Sequence, residues 1–79
     1  MLLVEILLTD QGEPNQQVEI SFDEGGLDFL IDRLTRLKQQ KTDHYHLMSE
    51  SWGDGDLDEQ THSSNSLLVH HLKLLKVVA

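Results

Sequence analysis

Residues 2–9 open the chain as a short, mainly apolar run, partly β-branched and interrupted by Glu5, and residues 10–15 close it with turn chemistry that includes Gly12 and Pro14. Residues 16–22 then alternate with period 2, so Val18, Ile20 and Phe22 point one way while Glu19 and Ser21 point the other. Two such runs around a polar turn predict a β-hairpin. Next, Leu27, Leu30, Ile31, Leu34 and Leu37 recur at three- and four-residue spacing. That spacing predicts an amphipathic helix whose Asp28, Asp32, Arg33, Arg36 and Lys38 face water. Acidic residues cluster at its start (Asp23, Glu24, Asp28) and basic ones at its end (Arg36, Lys38, Lys41), as the helix dipole favours. Ser21 and Glu24 have capping-box spacing, and Asp23 could cap as well. Gly25 and Gly26 are expected in the first turn, where glycine costs least.

Residues 44–48 alternate again, with His44, His46 and Met48 on one face and Tyr45 and Leu47 on the other. Residues 49–66 are polar and rich in Ser, Asp and Gly around a lone Trp52. In the closing segment, residues 67–78, Leu68, Leu72 and Leu75 would share a helical face, but Val69, Val77 and Val78 favour a strand. A strand is therefore expected. The resulting fold class is α+β in the order ββαββ, one helix packed on a four-stranded, mainly antiparallel sheet, and residues 1–79 form a single domain.

At 79 residues the core is thin, and the absence of cysteine removes disulfides and thiolate metal sites as supports. Dimerisation, a histidine or carboxylate metal, or close packing of helix on sheet remains. A formal net charge of −8 repels nucleic acid and anionic lipid. No apolar run approaches the roughly 20 residues of a membrane span, and Glu5 follows the first residues with no basic region or cleavage site of a signal peptide. The expectation is a cytoplasmic protein that binds neither nucleic acid nor membrane.

Five histidines in so short a chain raise a metal hypothesis. His44 and His46 share a strand face, and one of His70 and His71 could join them, a set that zinc or nickel could use. Hydrogen bonding of the same rings to neighbouring strands explains them equally well. Asp54, Asp56 and Asp58 resemble positions 1, 3 and 5 of a calcium loop, but Glu59 stands where glycine is required and Asn65 where glutamate is, so an EF-hand is excluded. Glu50, Asp54, Asp56, Asp58 and Glu59 nevertheless place five negative charges beside Trp52. An aromatic within such a rim has the composition of a binding surface for a basic protein. Solvated acids around a tryptophan that caps the core would look the same. The serines near the histidines lie in no nucleophile-elbow motif, and acids flank the only glycine pair, which disfavours phosphate. No catalytic residue and no cofactor is expected.

The leucine-spaced helix from Gly26, then Asp43, His44, Tyr45, His46, Leu47 and Met48, then Trp52 and Gly53, then Leu57 and finally His71, Leu72 and Lys73 resembles the immunity protein 32 family. The resemblance spans about Val18 to Lys76, and its most specific part is Asp43 to Gly53. Family members are small bacterial proteins assigned as immunity partners in polymorphic toxin systems. The resemblance implies a protein that is not an enzyme and that neutralises a toxin encoded beside it, with Asp43, His44, His46, Leu47, Met48, Trp52 and Gly53 as the matching motif positions. Combined with the negative charge, it points to occlusion of a basic surface by Trp52 and the acids at 50–59. Two alternatives remain open. One is a metal-binding domain using His44, His46, His70 or His71; the other is a homodimeric structural protein paired through its terminal strand.

Overall fold

The computed structural model describes residues 1–77, so Val78, counted above in the terminal strand, and Ala79 lie outside the described residues. The elements run β1 (Leu2–Leu8), β2 (Pro14–Phe22), α1 (Glu24–Lys38), β3 (His44–Met48), β4 (Ser66–Leu68) and β5 (His71–Leu75). The class is α+β with one helix, as the patterning predicts. Among the described residues the strands number five and divide into two antiparallel sheets, β2-β1-β4 and β3-β5, where a single four-stranded sheet was expected.

The division has a local cause. The terminal apolar run bends at Val69 and His70. Before the bend, Ser66, Leu67 and Leu68 pair with Leu7, Ile6 and Glu5, and the Val69 amide donates to Val4 O. After it, Ser49 N donates to His70 O, and His71 to Leu75 pair with Met48 back to His44. One strand-like run thus serves two sheets.

The β1–β2 hairpin pairs Leu2 with Phe22, Val4 with Ile20 and Ile6 with Val18. Gly12 supplies the turn's positive φ of 79°, and its amide donates to Thr9 O. Asp23 is the helix cap: its side chain accepts from Gly26 N at 2.9 Å. Glycine is required at 26 for a second reason, since a Cβ there would lie 1.8 Å from Met1 O.

The core is Leu2, Val4, Leu47 and Leu57, with Phe29 and Leu30 of α1 and Tyr45, Val69, Leu72 and Leu74 packed against it. A single 15-residue helix covers this face of β1 but not the neighbouring face of β2. Val18, Ile20 and Phe22 stay 58%, 42% and 45% exposed, and Ile31 and Leu34 of the helix stripe are each 52% exposed.

The opposite face of β1 is closed differently. Leu3 and Glu5 are fully buried there. The Glu5 carboxylate accepts hydrogen bonds from His62 N, Ser63 N and Ser66 Oγ, which binds the segment preceding β4 to the sheet. Burial alone would push this carboxyl's pKa up. The bonds from Ser66, His62 and Ser63 outweigh it and hold the group below its ordinary value.

Candidate functional site

β3 delivers the chain into a tight turn. The amides of Trp52 and Gly53 both donate to Ser49 O, at 3.1 and 2.8 Å, which aims the Trp52 side chain outward. Gly53 sits against Met48, where a Cβ would come within 2.9 Å of the Met48 sulfur. Further along, Leu57 inserts into the core at 2% exposure, and its amide donates to Met48 O at 3.0 Å. An apolar plug therefore holds an otherwise polar loop.

Ser49 and His70 lock the base of the loop. Ser49 is fully buried, and its Oγ lies 2.7 Å from His70 Nδ1. Glu59 Oε1 accepts from Ser51 N at 2.9 Å and stands 3.7 Å from the same His70 nitrogen. Hydrogen bonds from the Ser51 side chain and amide and from Ser49 hold the Glu59 carboxyl below its ordinary value. The trio resembles a serine–histidine–acid array in composition only. In a catalytic array the acid orients the ring through the nitrogen that the serine does not use, whereas here both partners meet Nδ1. Its geometry is that of a cross-link.

Trp52 is 62% exposed and lies flat on the His70 ring, with centroids 5.2 Å apart and planes 4° from parallel. The histidine thus props the indole toward solvent from below. The acids named from the sequence lie in the same loop, and Asp56 and Asp58 border a cleft with Met1, Leu2, Gly26 and Phe29. Glu50 and Asp54 are exposed; Asp56 and Asp58 are half-buried, and Asp56 Oδ2 lies 3.4 Å from the Met48 amide it accepts from. Some of the charge is used to hold the loop and some stays at the surface.

Three of the other four histidines gather on the exposed face of the β3–β5 sheet; His62 lies apart, in the segment clasped by Glu5. His46 Nδ1 is 2.8 Å from His71 Nε2, so one ring donates and the other accepts. The His44 ring stands edge-on to His46 at 5.1 Å, and its Nδ1 meets Asp43 Oδ1 at 2.6 Å. That bond holds the Asp43 carboxyl below its ordinary value. Partial burial, with His71, His44 and Lys73 nearby, pulls His46 below its ordinary value. His44, His46 and His71 come together, while His70 turns away to Trp52 and Ser49. Among the described residues, no group of three or more histidines or acids is placed to hold a metal ion.

The motif positions thus fall into three kinds. Leu47 is core, Met48 and Gly53 shape the turn, and Asp43, His44, His46 and Trp52 are at the surface. The sequence profile of the family described as Immunity protein 32 matches residues 17–72, more than two thirds of the chain. The chain belongs to the immunity protein 32 family. No curated protein and no solved structure matches it. Within this immunity protein, sequence reasoning missed Ser49 and His70 as anchors of the loop and Glu5 as the clasp of the 62–66 segment. Their partners lie 21 and 57–61 residues away, so no local pattern marks them.

Proposed function

We propose that the protein binds a cognate toxin domain and neutralises it by occlusion, acting as a cytoplasmic binding protein rather than an enzyme and needing no cofactor. Membership in an immunity family supports a toxin partner in general. The loop supports the placement: an exposed tryptophan, propped on His70 in the loop that also carries Glu50, Asp54, Asp56, Asp58 and Glu59, is anchored by the buried Leu57 and Ser49. A rigid aromatic with a charged rim loses little conformational entropy on binding and accelerates encounter with a basic surface. The partner's surface is accordingly basic, the charge carried by domains that contact nucleic acid or other anions.

The observation that carries this reading is the exposed, stacked indole of Trp52 on a loop whose polar groups are otherwise tied down. The test uses the toxin domain encoded beside this chain. Replacing Trp52 with Ala and Asp54, Asp56 and Asp58 with Asn, in one variant whose circular dichroism matches the parent, should weaken toxin binding at least a hundredfold. Unchanged affinity in a folded variant would place the interface elsewhere.

A further inference from the structure

We infer that the outer edge of β2, with the adjoining flank of α1, is a self-association surface on which a second copy of this chain pairs antiparallel across a two-fold axis. β2 is the longest strand, nine residues, and among the described residues it pairs only with β1. Its other edge therefore presents unpaired amides and carbonyls. Monomeric proteins commonly blunt such edges with lysine, inward-pointing charge or short length. β2 carries Pro14 and a break in register with Gln16 at φ 55° at its start, but from Val18 to Phe22 it has no such device: Glu19 is its single charge, and Val18, Ile20 and Phe22 stand exposed on it.

These three side chains lie on the side of the sheet that carries α1, because they pair with Ile6, Val4 and Leu2, and the last two pack against Phe29 and Leu30 of the helix. Arg33 of α1 lies over Phe29 and Tyr45, toward β3. Ile31 and Leu34 of the same helix are exposed as well.

Charge selects the occupant. Two copies of net charge −8 repel, so they meet most readily where charge is sparse: β2 carries Glu19 alone, whereas the 50–59 loop carries five acids. Register selects the geometry. A two-fold perpendicular to the sheet keeps both helices on one side and requires opposed residues to share a face. Centred on Ile20, it sets Val18 opposite Phe22, Glu19 opposite Ser21 and Gln17 opposite Asp23 of the partner copy. Shifting the centre to Glu19 would oppose two carboxylates, and shifting it to Ser21 would oppose Glu19 and Asp23. Only the Ile20 register sets all three apolar side chains opposite apolar ones and leaves no acids face to face. The product is a six-stranded sheet, β4-β1-β2 continued by its symmetry mate, and it uses β2 where the sequence suggested the terminal strand.

The inference does not rest on the toxin reading, since β2 and the loop belong to different parts of the fold. Sedimentation of the full chain across about 1–200 μM should show a concentration-dependent dimer. Ile20→Lys and Val18→Lys, both at exposed positions and each checked for parental circular dichroism, should weaken self-association at least about tenfold. Because the chain has no cysteine, Ile20→Cys provides a direct test of register. Antiparallel neighbours fall within the 4.4–6.8 Å Cα separation that a disulfide spans, so mild oxidation should cross-link this variant and not Trp52→Cys. A monomer throughout the range, a dimer that both lysine variants leave intact, or equal cross-linking of the two cysteine variants would overturn the proposal. So would protection of the β2 amides from exchange that arises only when toxin is added.

Discussion

The segment from Ser49 to Ser66 and the strand β2 are both surface features, and they are attached to the fold in opposite ways. The segment is tied at both ends and in the middle: Ser49 and Glu59 to His70, Leu57 into the core, and the amides of His62 and Ser63 to the buried Glu5 carboxylate. β2 is held along one edge by β1 and is open along the other. The acidic region must be held because its like charges repel and its irregular backbone has no ladder to satisfy it. The strand needs no such ties, since its hairpin ladder already fixes it. A tied, charged surface suits an unlike partner, and an open, neutral edge suits a like one.

The harshest way to break this contrast is to remove the plug. Leu57→Ala leaves a cavity in a thin core and should cost on the order of 2–5 kcal/mol in denaturant unfolding. Toxin affinity should fall with it because the loop loses its seat; preserved affinity after such destabilisation would show that the loop is held mainly by its polar ties.

A smaller effect is expected at the Glu5 clasp. Its depressed pKa means that its contribution to stability is present above the ordinary carboxylate value of 4.5 and is lost as pH falls through the lower folded value. Urea midpoints measured from pH 6 down to pH 3 should therefore fall most steeply below about pH 4.5. Glu5→Gln, which leaves an amide N–H facing donors, should cost about 1–3 kcal/mol at pH 7 and flatten that acid limb. An unaltered acid limb in this variant would assign the loss to other carboxylates.

Trp52→Ala sharpens the comparison from the other side. The exposed indole should contribute less than about 1 kcal/mol to stability while its loss weakens toxin binding by about ten- to a hundredfold. Reversal of the two effects would make Trp52 a cover for the core. Gentlest of all is salt. Raising sodium chloride from about 50 to about 500 mM should weaken toxin binding roughly tenfold and, if anything, strengthen the β2-mediated dimer, because salt screens attraction in the first and repulsion between like-charged copies in the second.

The same contrast explains what the sequence discloses. The hairpin, the helix and β3 are local: alternation in 16–22 and 44–48 and the leucine spacing of 27–37 state them directly, and Asp23 is one of the caps the sequence offers. The two sheets are not local. Whether residues 66–75 form one strand or two depends on Val4 and Ser49 as partners at the bend, which no periodicity records. Alternation in β1 would leave Glu5 as an ordinary solvent-facing acid, because its donors come from a segment some 57 residues on. The exposure of Ile31 and Leu34 is likewise invisible to a stripe count, which marks a face as apolar but not how much of it one short helix can cover. For the site, the sequence places Trp52 and the acids in one loop, and the His44, His46 and His71 gathering follows from strand alternation once β5 is known to lie beside β3. The prop beneath Trp52 required the fold.

That prop has a practical consequence. The chain contains one tryptophan, mostly exposed and in face-to-face contact with an imidazole. Its emission is thus a single-source optical signal located in the proposed interface, sensitive both to loss of surrounding water and to any separation from the ring beneath it. A partner that covers the loop would shift that emission to shorter wavelength, so complex formation can be followed on the unlabelled protein, while association through β2 would leave the spectrum unchanged.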